Sequence, residues 1–168
     1  MRIASISKPI TCFIAAKLYE NNKLDFDKSI EFYLPYLPDF KYNDKIVKIT
    51  PRQLVSHTSG IRHYEKKNEI KGEKTENGSD TGLKEFYIKD NFKTTKDALQ
   101  LFINDELLSE PGTKFFYTTH GFTLLSAVLE KASEKSSFSK LLLELFQVLD
   151  MSETYLDQND PLIKNRSK

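Results

Sequence analysis

The stretch HGFTLLSAVLEKAS at 120–133 constrains the fold most. Phe122, Leu125, Val128 and Leu129 recur there at three- and four-residue intervals, the spacing that gathers apolar side chains on one helix face. It predicts a helix over about 119–133. The same reading assigns a helix to about 6–21, through Ile6, Ile10, Phe13, Ile14 and Leu18. Another is predicted over about 136–147, through Leu141, Leu142, Leu145 and Phe146. Strand signals are sparse. IVKIT at 46–50 alternates briefly, and Phe115-Phe116-Tyr117 reads as a short extended piece. Strands this few and short cannot make an independent sheet.

Boundary residues refine the outline. Pro9 falls in the first turn of its helix, where a missing N–H removes no intrahelical bond, so Ser5 lies at or just before the N-terminus. Asn21-Asn22 marks the stop. Asp27 is expected to cap a short helix through Ile30 and Phe32, ended by Pro35. Thr50-Pro51-Arg52-Gln53 combines an N-cap, a proline at the first helical position and a capping-box glutamine. Thr58-Ser59-Gly60 then ends this brief helix in a turn. Residues 61–93 differ: 15 of these 33 are charged, with NGSDTG at 77–82, which predicts a mobile loop or insertion. Thr94-x-x-Asp97 opens the next helix, carrying Ala98, Leu99, Leu101 and Phe102, and Pro111-Gly112-Thr113 makes a turn.

Charge and cysteine content remove some functions. A net charge of +1 gives no global positive field, which argues against a nucleic-acid partner. The single cysteine, Cys12, rules out an internal disulfide framework and reads as a buried, inert thiol. Lys17 and Glu144 interrupt the two best apolar runs before either reaches membrane-spanning length, and membrane association stays open. Met1-Arg2 is followed by Ser and Lys rather than by the apolar stretch of a signal peptide.

Three stretches carry chemistry-bearing side chains. Ser5 and Lys8 are three apart and share a helix face. A lysine can help to activate a serine hydroxyl, and a helix N-terminus favours a developing acyl oxyanion. The same four residues also read as an N-cap serine followed by a solvated lysine. Tyr117 ends the extended piece before Thr118-Thr119 and a helix. Its hydroxyl could exchange protons in a cleft if a cation lowers its pKa, or its ring could complete a Phe115-Phe116 core. His57 and His63 suggest a triad or a metal pair, but no carboxylate is spaced to orient His57. Two histidines six apart match no common ligand pattern, so a helix end and turn explain the stretch better.

Taken in order, RIASISKPIT, KLDFD, ITPRQLVSHTSGI, EPGTKFFYTTHGFTLLSAVLEKAS and LDMSETY, spread over 2–155, resemble the serine beta-lactamase-related proteins. That group includes penicillin-binding peptidases, class C beta-lactamases and related esterases, and S-x-x-K is its nucleophile motif. The SGIRHYEK stretch is most similar to the branch found in animal mitochondria, which implies a mitochondrial location. The resemblance implies an α+β fold of which this chain is mostly the helical portion, with the sheet largely missing, so that 1–168 is part of one domain. It implies Ser5 as acyl-forming nucleophile, Lys8 as its partner and Tyr117 as the proton-transfer group that opens a Y-x-N motif. Thr119 stands where that motif has asparagine, which puts substrate positioning in question, because a hydroxyl cannot present a carbonyl and an NH2 together. No K-T-G or H-T-G triplet follows Tyr117. The function implied is a serine hydrolase acting on a peptide or other acyl substrate, without cofactor or metal, and impaired in this chain. The alternative is a non-catalytic derivative used for binding or self-assembly.

Overall fold

A computed structural model of the chain describes residues 2–64, 85, 92–134 and 137–157. Ala4–Ile6 form a single 3-10 turn that runs directly into α1, Ser7–Glu20. Ile30–Phe32 form a second such turn. β1 (Phe40–Tyr42) and β2 (Lys45–Val47) follow, then α2 (Pro51–Val55), α3 (Thr95–Leu99), α4 (His120–Ser133) and α5 (Phe138–Val148). The predicted insertion at 61–93 falls mostly outside the described residues.

α4 is the centre of the molecule and packs against α1, α2, α3 and α5. Phe122, Leu124, Leu125, Ala127, Val128, Leu129 and Ala132 are all buried along it. Apolar residues right round a helix bury it on all sides, which is why this segment dominates the sequence pattern. Leu141, Leu142, Leu145 and Phe146 of α5 close one side, as their spacing predicts.

α1 departs from expectation. Its buried face is Thr11, Ile14, Ala15 and Leu18, whereas Ile6 is 65% and Phe13 51% exposed. Ile14 and Leu18 of the predicted stripe are buried and Ile10 packs against the core, while Thr11 and Ala15 complete the buried face and Ile6 and Phe13 stay outside. The strands also differ. β1 went unpredicted because only three residues make it. It pairs antiparallel with β2, Phe40 opposite Val47, across Asn43 and Asp44, both at positive φ. Two left-handed residues are what a tight two-residue hairpin turn requires. The strand predicted at 46–50 stops at Val47, and Ile49 is buried beyond it.

The expected capping box at Thr50 forms, and the helix opened by Thr94 begins with a second one. Thr50 Oγ1 accepts from the Gln53 N–H while Gln53 Oε1 accepts from the Thr50 N–H, and Thr94 with Asp97 repeats the arrangement. Asp27, by contrast, caps nothing: its carboxylate takes two hydrogen bonds from Arg52, at 2.6 and 2.7 Å. α3 ends at Leu99, so Leu101 and Phe102 lie in turns beyond it. Cys12 is only half-buried, and desolvation pushes its thiol up.

Candidate active site

Ser5 occupies the 3-10 turn before α1, with Ala4 behind it at φ 44°. A left-handed alanine is a strained neighbour, and such strain concentrates at functional positions. Lys8, in the first turn of α1, reaches back so that Nζ donates to Ser5 Oγ at 3.2 Å. The second half of the site arrives from 112 positions away: Tyr117 Oη donates to the same Ser5 Oγ at 2.7 Å. Lys8 Nζ also donates to Thr119 Oγ1 at 3.3 Å and lies 4.7 Å from the centre of the Tyr117 ring. Ser5, Lys8, Tyr117 and Thr119, all singled out in the sequence, therefore meet at one place.

The Tyr117 ring is 40% exposed and Phe115 67% exposed, so neither completes an aromatic core. Burial of the phenol pushes its pKa up. Its interactions with Lys8 and Ser5 and the charge of Lys8 together outweigh this, leaving the phenol below its ordinary value of 10.0. Thr119 supplies Lys8 with an acceptor oxygen, one of the two functions an asparagine would serve there.

The segment 57–63 lies alongside 116–119 and holds it. His57, set aside in the sequence as part of a helix end, has its backbone oxygen accepting from the Phe116 N–H at 2.8 Å and its ring Nδ1 accepting from the Thr118 N–H at 3.1 Å. His63 Nδ1 accepts from the Thr119 N–H at 3.3 Å. Thr118 Oγ1 donates to the Arg62 oxygen at 2.6 Å and accepts from the Gly121 N–H. Arg62 itself binds Glu85 through two nitrogens, Asp105 at 2.6 Å and the Leu101 oxygen, and its Nη1 lies 3.3 Å from His120 Nε2. Asp105 is thus an ion-pair partner of Arg62. No local signal could reveal these roles, because they depend on parts of the chain that are distant in sequence.

These features define a class before they define a family: the fold is α+β, of the beta-lactamase and transpeptidase type, with the described residues mostly helical around a small hairpin. Among solved structures, EstCE1, a hydrolase with promiscuous acyltransferase activity, superposes with a TM-score of 0.69 at 27% identity, over 89% of this chain and 37% of that one. A D-stereospecific amidohydrolase from Streptomyces sp. gives a TM-score of 0.67 at 25% identity, over 89% and 42%. The human mitochondrial serine beta-lactamase-like protein LACTB is 35% identical over 215 aligned residues, which take in 100% of this chain and 39% of that protein. The beta-lactamase family pattern matches residues 1–167, and the chain belongs to that family. It spans about two fifths of the length of the human relative, 39%.

Proposed function

We propose that this chain carries the nucleophile side of a serine hydrolase site that works through an acyl-enzyme on a peptide, amide or ester carbonyl. The observation that supports the reading most is the convergence of Lys8 Nζ and Tyr117 Oη on one oxygen, Ser5 Oγ. Once the Tyr117 phenol has given up its own proton to solvent, a change the Lys8 cation favours, Ser5 attacks the carbonyl carbon and its proton passes to the phenolate. The phenol then protonates the leaving group. Water adds to the acyl-serine, releasing an acid and restoring the Ser5 hydroxyl.

Within these 168 residues the reaction is expected to be slow. Ser5 is exposed, and water around it weakens the field of Lys8 on both hydroxyls. The exposed Ile6 and Phe13 leave α1 loosely held on that side, and a displacement of about 1 Å costs roughly a hundredfold in rate. We read residues 1–168 as part of one larger catalytic domain, and the mitochondrial location of the human relative as the location of this protein too. Threonine at the asparagine position of Y-x-N favours a second reading, a binding or assembling protein that kept the fold without turnover.

Labelling with a fluorophosphonate serine probe, followed by mass spectrometry, separates the two. Slow modification at Ser5 is expected, abolished by Ser5→Ala and reduced at least tenfold by Lys8→Met. Modification spread over other hydroxyls, or equal rates in wild type and Lys8→Met, would overturn the catalytic reading.

A further inference from the structure

His57 and His63 do something that no triad or metal reading requires. Each accepts a backbone N–H through ring Nδ1, from Thr118 and Thr119 respectively. A backbone N–H can only donate, so each Nδ1 must present a lone pair and each ring proton must sit on Nε2. Both rings also touch the Tyr117 ring, His57 at 4.6 Å between centres and His63 edge-on at 5.4 Å. Two neutral imidazoles thus hold the two peptide groups after Tyr117 and wall its ring on two sides.

The backbone at His57 bears on the same point. After α2, the Thr58 N–H reaches the Gln53 oxygen and the His57 N–H the Leu54 oxygen, the paired bonds of a Schellman helix end. His57 fills the left-handed position of that motif, at φ 58°. Glycine is the usual occupant, and a side chain there is strained. The position keeps a histidine at the expense of local stability, and the ring it gains points at the Tyr117 turn.

We propose that His57 and His63 are positioning residues which, as neutral imidazoles, hold the Tyr117–Thr119 turn against Ser5 and release it when protonated. The proposal rests on the catalytic reading of Tyr117 and deepens it, by giving the site an acid-sensitive latch. Protonating either ring would set an N–H against an N–H. All but one of the groups facing them work in the same direction. His57 meets Lys8 together with Tyr117, Phe115 and Phe122, and burial, then the Lys8 charge, hold its pKa below the ordinary value. His63 faces His120, Lys8, His57, Glu85 and Tyr64. Burial comes first among the causes that lower it, with the charges of His120, Lys8 and His57 adding and Glu85 alone opposing.

Asparagine places an oxygen close to the position of Nδ1 but does not titrate, which makes His57→Asn and His63→Asn the informative variants. His57→Gly relaxes the left-handed backbone while deleting the acceptor, so it keeps the test open if larger changes unfold the chain. Amide spectra of the 15N-labelled chain would be followed from pH 7.5 to 5, beside the rate of Ser5 labelling. In wild type the Thr118 and Thr119 amide resonances are expected to move together with the imidazole signals of His57 and His63 as pH falls. His57→Asn should flatten the Thr118 titration and extend Ser5 labelling to lower pH. His57→Gly should lose the Thr118 hydrogen bond and at least tenfold of the labelling rate at pH 7.5, with the melting temperature kept. Thr118 and Thr119 amides that ignore both titrations, or identical pH profiles for wild type and His57→Asn, would overturn the latch. If wild type itself shows no labelling at Ser5, the catalytic reading fails, while the amide titrations still decide whether the histidines hold the turn.

Discussion

Thr119 shows how one side chain can keep half of a role. It accepts from Lys8 at 3.3 Å, which orients the lysine, but offers no NH2 to a substrate. Replacing it with asparagine restores the second function. One added hydrogen bond contributes about 0.5–1.5 kcal/mol, so Thr119→Asn is expected to speed Ser5 labelling by about three- to tenfold. Tyr117→Phe removes the proposed proton acceptor without removing a buried ring. Labelling should fall by about 10²- to 10⁴-fold, while the melting temperature stays within a degree or two of wild type. Ser5, Lys8 and Tyr117 were legible in the sequence only as parts of an ordered set of motifs, because each alone has an ordinary structural explanation. His57 and His63 were not legible as site residues. What matters about them is the lone pair each aims at residues 118 and 119, and the sequence does not show which way a ring points.

At the level of elements, the first turn of α4 is a tight joint near the site. A Cβ added at Gly121 would lie 2.7 Å from Thr118 Cγ2. Alanine gains about 1 kcal/mol over glycine in a helix, but overpacking of this kind costs about 1–3 kcal/mol. Gly121→Ala is therefore expected to lower the melting temperature slightly and to push the 117–119 turn off Ser5, reducing labelling far more than stability. Leu125, fully buried in the middle of α4, should show the opposite balance. Leu125→Ala is expected to cost about 2–5 kcal/mol in urea unfolding. The helices α4 and α5 and the capping box at Thr50 were readable because periodicity and caps act locally. The hairpin was missed because three-residue strands carry little pattern, although Asn43-Asp44 is a turn signal. α1 was placed correctly, and Ile10, Ile14 and Leu18 of its predicted stripe face the core while Ile6 and Phe13 do not, since the exact buried face is chosen by what α4 can accept.

For the whole molecule, three histidines, His120 buried and His57 and His63 partly so, are held below the ordinary imidazole value: desolvation leads in lowering each, with Glu85 partly opposing it at His63 and His120. A depressed histidine is neutral in the native state and takes up its proton more readily on unfolding. Its stabilisation is complete above the ordinary value of 6.5 and is lost as pH falls below it toward the native pKa. The depressed Asp27 carboxyl acts only in a lower window, below its ordinary 3.8. Calorimetry between pH 7.5 and 5 should thus show a melting temperature that falls with pH, and His57→Asn and His63→Asn should reduce the slope. The α+β class and the family were legible at this scale because the motifs run in order along the chain, whereas the way segment 57–63 fastens 116–119 emerges only from packing. The account stands on the meeting of Lys8 with Tyr117 at Ser5, and the phenol of Tyr117 reports that meeting directly. Tyr36 and Tyr155 are both shifted upward, so a tyrosine shifted downward stands apart. Titration of 13Cζ-labelled tyrosine, assigned with Tyr117→Phe, should find the Tyr117 phenol below 10.0 in wild type and raised in Lys8→Met, where only the Ser5 hydrogen bond is left to oppose burial. A Tyr117 phenol at or above that value and indifferent to Lys8→Met would contradict the account.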